Sequence, residues 1–310
     1  MLLFNILNMF YKVSNRQLVS IAKKNILEKD VQSLVESNLF ELFDLKFVDT
    51  EFSIENVRFD TLAFDKDANS PVIIEYKKSF EKSLFDQGLE YLNILFSRKA
   101  DFAIALHKKL KLSPDPDSYS WENARVIFVC EQFSERQKRA ISFQGLPIDL
   151  YRFAWMENDF FQLEKESLDR NAKLSEFSKA INGKNSAIQK VRSEVKDYGR
   201  NHHEKMTTDA VWELFEKIEE ELLNWHDFEV RYRKLYIGFY DKRSFCIIKL
   251  WRSKVQVQFG KKKDAKLFCK LPGVTDITKR GWNHAYIFEV ESEKNLNDLF
   301  FILKKALSVF

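Results

Sequence analysis

The alternation of apolar and polar positions changes period several times along the chain, and each change predicts an element. "EKDVQSLVESNLFELF", Glu28 to Phe43, sets Val31, Leu34, Val35, Leu39, Leu42 and Phe43 at helical offsets, which predicts an amphipathic helix. "KFVDTEFSI" and "VRFDTLAFD" follow and read as strands. The polar turn "KDANSP" leads into a strand in which Val72, Ile74 and Tyr76 alternate with Ile73, Glu75 and Lys77. A run that apolar belongs inside a sheet. If 58–64 and 71–77 form a hairpin centred on the turn, Asp60 falls opposite Glu75. A long helix is expected over 80–98 and a strand over 124–130. "SERQKRAISF" reads as a short helix with Ser134 as its N-cap, and "PIDLYRFAWM" as a last strand.

The first half therefore predicts a mixed α/β layer arrangement. From 163 to 224 the pattern turns polar and helical, ending in the strong helix "VWELFEKIEEELLNW". From Phe228 onward β-type stretches dominate, "KLYIGFYD", "SFCIIKLW", "KVQVQF" and "HAYIFEV", and the terminal helix "NLNDLFFILKKAL" closes the chain. The expected organisation is an α/β domain over 1–162, a helical connector over 163–225 and a basic α+β domain over 226–310.

Composition adds limits. With 310 residues, 45% hydrophobic and 31% charged, the chain can build a full core and is not disordered as a whole. Only 8 Gly and 5 Pro argue against long flexible linkers. The abundance of Phe, 29 residues, beside many Lys and Asn reads as genome bias more than function. The 3 cysteines, Cys130, Cys246 and Cys269, form no CxxC pair, so neither a disulfide framework nor a zinc finger is expected, and a reducing cytoplasm fits. "MLLFNILNMFYKV" lacks a basic n-region and a small-residue cleavage site, so a first strand is expected there in place of a signal peptide. No apolar run reaches the ~18 residues of a membrane span. Net charge is +4, but 231–280 holds 15 Lys and Arg against 3 Asp and Glu. Such a run is most often a solvated face, and it also suits a polyanion partner.

The chemistry concentrates on the apolar strand. Glu75 and Lys77 stand at i and i+2, so both side chains leave one face. Asp60 on the neighbouring strand brings a second carboxylate. Two carboxylates converging on one point repel unless a cation sits between them, and oxygen ligands suit Mg²⁺ or Mn²⁺. The Tyr76 carbonyl between Glu75 and Lys77 adds a neutral ligand. An ammonium beside such a site can orient a water and stabilise charge on an attacked phosphate. Gln87 and Tyr91 lie one turn apart on the next helix and share a face that can look into the site. Glu28, Gln32 and Glu36 form a polar stripe on the first helix.

"D60…E75-Y-K77…Q87-x-x-x-Y91" resembles the PD-(D/E)XK nuclease superfamily, in particular the RecB-like branch with a Q-x-x-x-Y helix motif. The longer text "RFDTLAFDKDANSPVIIEYKKS…DQGLEYLNILFSRKADF" is similar to bacterial nuclease-like proteins with a small C-terminal domain of unknown function, often mislabelled as predicted transport proteins. "RKLYIGFY" and "DITKRGWNHAYIFEV" look like that domain. The resemblance implies a restriction-endonuclease-like core, with a mixed sheet flanked by helices. It implies Asp60, Glu75 and the Tyr76 carbonyl as metal ligands, Lys77 acting on water or phosphate, and Gln87 and Tyr91 in support. Glu28 matches the helix acid, with Glu36 as competitor. The first motif reads "FD" where the family has "PD".

The expected activity is Mg²⁺- or Mn²⁺-dependent hydrolysis of phosphodiesters, with DNA as the expected substrate. The basic C-terminal domain would contact the backbone through Lys261, Lys262, Lys263, Lys279 and Arg280. Paired cuts would require a homodimer. The alternative is a catalytically silent nucleic-acid-binding or adaptor protein that keeps the fold. A transport role rests only on inherited labels, and no membrane partner is expected. "NHHE", Asn201–Glu204, reads as a polar loop, because adjacent histidines point apart. Trp251, Trp282 and Tyr286 interleave with basic residues as a stacking surface would, though core packing explains them as well. No GxGxxG or P-loop is present.

Overall fold

The computed structural model describes residues 10–78, 83–135, 137–138, 146–166, 198–241, 243–280 and 282–310. Among them are two six-stranded sheets and a two-stranded hairpin. The hairpin joins β1 (Phe10–Ser14) to β2 (Gln17–Ile21) through Asn15 and Arg16, both at positive φ (50° and 64°) as a tight two-residue turn requires. The predicted first strand thus holds for Phe10–Val13, and its earlier residues lie outside those described.

The first sheet runs β3 (Leu45–Ile54), β4 (Val57–Asp65), β5 (Ser70–Lys77), β6 (Arg125–Cys130), β7 (Ile148–Trp155) and β8 (Phe161–Lys165) in spatial order. β3, β4 and β5 form an antiparallel meander, β5, β6 and β7 are parallel, and β8 returns antiparallel. This is the mixed sheet that was expected. β5 and β6 are buried along nearly their whole length, as parallel strands covered on both faces must be. On one face lie α1 (Glu28–Ser37) and α2 (Leu39–Phe43), packing Val31, Val35 and Leu39 on Val72, Ile74 and Tyr76. On the other lie α3 (Leu84–Ser97) and α4 (Lys99–Leu110), packing Leu92, Leu95 and Phe102 on Leu62, Ile73 and Phe128.

Three local features differ from the periodicity. The first helix breaks at Asn38, whose Nδ2 donates to the Leu34 carbonyl (2.7 Å). A fourth helix follows α3 almost without a loop, so its pattern merges with that of α3. β8 adds a strand after the expected last one, too short at five residues to show a period. The "SERQKRAISF" helix lies largely outside the described residues, but Ser134 Oγ accepts from Gln137 N (3.2 Å), as an N-cap does.

The second sheet is antiparallel: β9 (Glu229–Tyr232), β10 (Ile237–Tyr240), β11 (Ser244–Leu250), β12 (Val255–Phe259), β14 (Tyr286–Val290) and the short edge strand β13 (Val274–Asp276). One face is covered by α6 (Asp209–Trp225), through Phe215, Ile218 and Leu222, and by α8 (Leu296–Leu307), through Leu299 and Leu303. Residues 209–225 therefore belong with this sheet's core. α7 (Ala265–Phe268) adds Phe268 to it. "NHHE" is not a loop: it lies in α5 (Arg200–Met206), where buried His203 donates to the Arg233 carbonyl (2.7 Å).

The two sheets meet through buried charge. Asp44, in a left-handed conformation after α2 (φ 57°), pairs with Lys261 and accepts from Ser244 N (3.0 Å), while its carbonyl accepts from Asn283 Nδ2 (3.0 Å). Arg125 pairs with Asp65 (2.9 Å) and Asp149 (3.4 Å), and Lys165 joins Asp149 (3.2 Å) to Glu229 (2.9 Å). Asp44, Asp65, Arg125 and Asp149 all lie at one end of the first sheet, where β5, β6 and β7 begin. Lys261, one cation of the basic run, is therefore committed to an acid of the first half inside the molecule.

Asp67 sits in this interface, its side chain 7% exposed and 3.8 Å from His284 Nε2. Burial, with Asp65 and Asp44 nearby, pushes its carboxyl up to about 7, while burial holds His284 neutral. A carboxyl raised on folding stabilises the fold below its ordinary value of 3.8, and that contribution is lost as pH rises through about 7. Asp67→Asn removes this slope. Urea titrations should show the variant gaining about 3 kcal/mol on wild type between pH 4 and pH 8. A difference independent of pH contradicts the assignment.

Candidate active site

Pairing between β4 and β5 runs from Asp65↔Ser70 to Thr61↔Ile74, and its next step sets Asp60 against Glu75. There the strands part. Asp60 Oδ2 accepts the Tyr76 N–H (3.0 Å), so its carboxylate stands in the sheet edge where a ladder bond would be. In an extended strand one residue's N–H and C=O face the same neighbour, so the Tyr76 carbonyl also looks toward Asp60.

Glu75 leaves the α3 face. It is 3% exposed and has a donor on every side. Lys77 Nζ lies 2.8 Å from Oε1, Gln87 Nε2 donates to the same oxygen (2.8 Å), and Tyr91 OH donates to Oε2 (3.0 Å). Gln87 Nε2 also donates to Tyr91 OH (2.7 Å). Gly88 lets α3 come this close: a Cβ there would meet Ile148 Cδ1 at 2.9 Å and Phe128 at 3.1 Å. Phe59 packs edge-on against Tyr91 with centroids 4.8 Å apart, fixing the ring. Burial and the Glu75 charge raise the Tyr91 phenol, which stays a donor.

Burial, then the charge of Glu75, pushes the Asp60 carboxyl up to about 6. Two carboxylates in mutual repulsion form an arrangement that a cation would relieve. Gln87 Oε1 adds a buried acceptor with no hydrogen-bond partner among the described residues. Among those residues no three His, Cys, Asp or Glu side chains cluster as a metal site. Two carboxylates beside a backbone carbonyl are oxygen donors that would suit a small hard cation keeping part of its hydration shell.

The stripe on α1 divides. Glu28 Oε1 accepts from Lys78 N (2.8 Å), just beyond Lys77. Glu36 lies under the opposite face, accepting from Thr61 Oγ1 (2.7 Å) and Gln32 Nε2 (3.0 Å). Gln32, 4% exposed, also donates to the Asp60 carbonyl (2.8 Å).

Glu51, whose charge bears on Asp60, does not show in the residue spacing. Thr50 and Thr61 pair and face α1, whereas Phe52 and Phe59 pair and face α3 and α4. Residues two apart should share a face. Both strands therefore reverse facing at Glu51 and Asp60, and Glu51 carries the strain at φ 52°. The signal was the failure of alternation at "TEF" opposite "FDT".

Of the five basic residues expected to touch nucleic acid, Lys261 is buried and committed to Asp44. Burial makes it an internal partner, and it is not available to a backbone phosphate. Lys262, Lys263, Lys279 and Arg280 are exposed. They belong to the domain docked at the far end of the sheet, about 17 Å along β4 from Asp60 at the usual strand rise. Arg280 and Lys249 lie over Trp282, at 5.1 and 4.9 Å from the ring centroid.

A Haemophilus influenzae protein, described only as uncharacterized, is 33% identical over 288 residues, which is 91% of this chain and 93% of that protein. The chain belongs to its family. Within this family member, residues 201–306 match a domain of unknown function, DUF5655, a span that includes α6. Solved structures also show partial likeness. A Pyrococcus abyssi repair endonuclease is 20% identical, covering 40% of this chain and 46% of that chain, with a TM-score of 0.27. An EndoMS–dsDNA complex is 19% identical, covering 42% and 47%, with a TM-score of 0.28. Pyrococcus furiosus SfsA in complex with Ca²⁺ is 13% identical, covering 51% and 74%, with a TM-score of 0.28. The matches to the first two span less than half of those chains. No helix among the described residues is long and apolar enough to cross a membrane.

Proposed function

We propose that the chain is a divalent-metal-dependent nuclease of the PD-(D/E)XK type, RecB-like in its Gln87–Tyr91 motif, that hydrolyses phosphodiesters in DNA. The observation that carries the reading is convergence. Asp60 and Glu75 meet across two strands at the end of β5, and Lys77, Gln87 and Tyr91 all reach Glu75. Asp60, Glu75 and the Tyr76 carbonyl would hold Mg²⁺ or Mn²⁺. A bound ion supplies charge neutralisation at the phosphate and lowers the pKa of a water. Lys77 places its ammonium beside the cut, where it orients a water and offsets charge developing on the phosphate oxygens. Gln87 and Tyr91 hold the Glu75 carboxylate in one orientation. Glu28 fixes the backbone beyond Lys77. In this reading a nuclease domain that runs through β8 is followed by a connector, and the C-terminal domain, which takes in α6, extends the contact with DNA.

A second reading has its own observation. Glu75 already has three donors, so the site is satisfied without a metal, as in a silent nucleic-acid-binding protein that kept the fold. The two separate on incubation with supercoiled, linear and single-stranded DNA and with RNA, in Mg²⁺, Mn²⁺ or EDTA. The nuclease reading expects cleavage that EDTA abolishes. Binding without turnover in either metal favours the second.

A further inference from the structure

Beside Asp60, on the side away from Lys77, one carboxylate holds two cations. Glu51 Oε1 lies 2.9 Å from Lys29 Nζ and Oε2 lies 2.9 Å from Arg58 Nε. Lys29 comes from α1, Glu51 from β3 and Arg58 from β4, so three elements converge on this point. The two cationic side chains are 60% and 68% exposed, whereas Glu51 is 33% exposed. The cations face solvent around a carboxylate set deeper between them.

The backbone is strained to achieve this. Glu51 has φ 52° inside a strand, a conformation that β-strand residues other than glycine rarely adopt. It lies at the point where β3 and β4 reverse facing, opposite Asp60. Gln32 ties the cluster to the site, accepting from Lys29 (3.3 Å) and donating to the Asp60 carbonyl (2.8 Å). Arg58 is tied to it from the other side, its carbonyl accepting from Tyr91 OH (3.4 Å).

A carboxylate and a phosphodiester each present two anionic oxygens at a similar spacing, and both suit an Arg–Lys pair. We propose that Lys29 and Arg58 form a seat for a backbone phosphate next to the one that is cut, and that Glu51 occupies this seat until nucleic acid displaces it. The proposal rests on the nucleic-acid reading above. It makes Glu51 a competitor of the substrate, so its removal strengthens binding, and that gain depends on Lys29. Lys29 and Arg58 touch no base edge in this role, and their contribution is independent of sequence.

The test uses the full chain in EDTA, with a fluorescein-labelled short DNA duplex followed by anisotropy at several salt concentrations. Lys29→Ala and Arg58→Ala should each weaken binding about three- to tenfold and lower the salt slope by about one. Glu51→Gln should tighten binding about threefold or more at low salt, and that gain should vanish in the Lys29→Ala/Glu51→Gln double variant. Thermal melts confirm that each variant is folded. If wild type binds DNA while Glu51→Gln binds no tighter, or both cation variants bind as wild type does, the seat is wrong and the nucleic-acid reading stands. If wild type binds no DNA at low salt, both fail.

Discussion

Glu75→Ala is expected to remove at least about 10³-fold of the metal-dependent cleavage rate, with the protein still folded, and Lys77→Ala about 10²- to 10³-fold. The two losses have different causes. Glu75 is the point on which Lys77, Gln87 and Tyr91 all converge, so its removal takes away one proposed ligand and the acceptor that these three donors share. Lys77→Ala removes the cation beside the phosphate and one of three partners of Glu75, so Lys77→Arg should restore part of the rate, while Glu75→Gln restores none. Tyr91→Phe and Gln87→Ala loosen the orientation of Glu75, and smaller losses of about tenfold are expected. Rates on plasmid DNA under excess metal measure all six variants. A Glu75→Ala protein that cuts at the wild-type rate contradicts the assignment.

Lys261→Ala is expected to cost about 3–5 kcal/mol of stability, the largest loss for a single basic residue of the C-terminal run. Asp44 and Lys261 are buried together at the junction of the sheets, and burial pushes the Asp44 carboxyl up against the opposing pull of Lys261 and the Ser244 N–H. Truncating the lysine leaves that buried carboxyl with only the Ser244 N–H and the weaker pull of Arg243 to offset its desolvation. Replacing both partners removes the mismatch, so Asp44→Asn/Lys261→Met should recover most of the loss. Equilibrium urea unfolding of the single and double variants checks this. A single variant within about 1 kcal/mol of wild type means the pair does not hold the sheets together.

The parts of the site that were legible in the sequence depend on short-range geometry. A four-residue turn over 66–69 sets the register that brings Asp60 beside Glu75, the period of two puts Glu75 and Lys77 on one face, and the four-residue spacing aligns Gln87 with Tyr91. Glu51 was hidden because β3 and β4 reverse facing together, which defeats any reading by alternation. Lys29 and Arg58 depend on Glu51 and were hidden with it. The Asp44–Lys261 junction joins residues more than 200 positions apart and leaves no local period. For that reason the basic run read as an open face, while Lys261, Arg231 and Arg243 are paired with acids at Asp44, Glu229 and Glu41. β8 and α4 escaped for a simpler reason: one is too short to show a pattern and the other follows α3 without a turn signal.

Everything proposed for this site depends on Asp60 and Glu75 forming a seat for a divalent cation. The most direct measurement is Mn²⁺ uptake by the full chain, followed by electron paramagnetic resonance, in wild type and in Asp60→Asn. One ion per wild-type chain, with binding weakened about tenfold or more in the variant, is the expected result. Wild type that takes up no Mn²⁺, or Asp60→Asn that binds it equally well, contradicts the account.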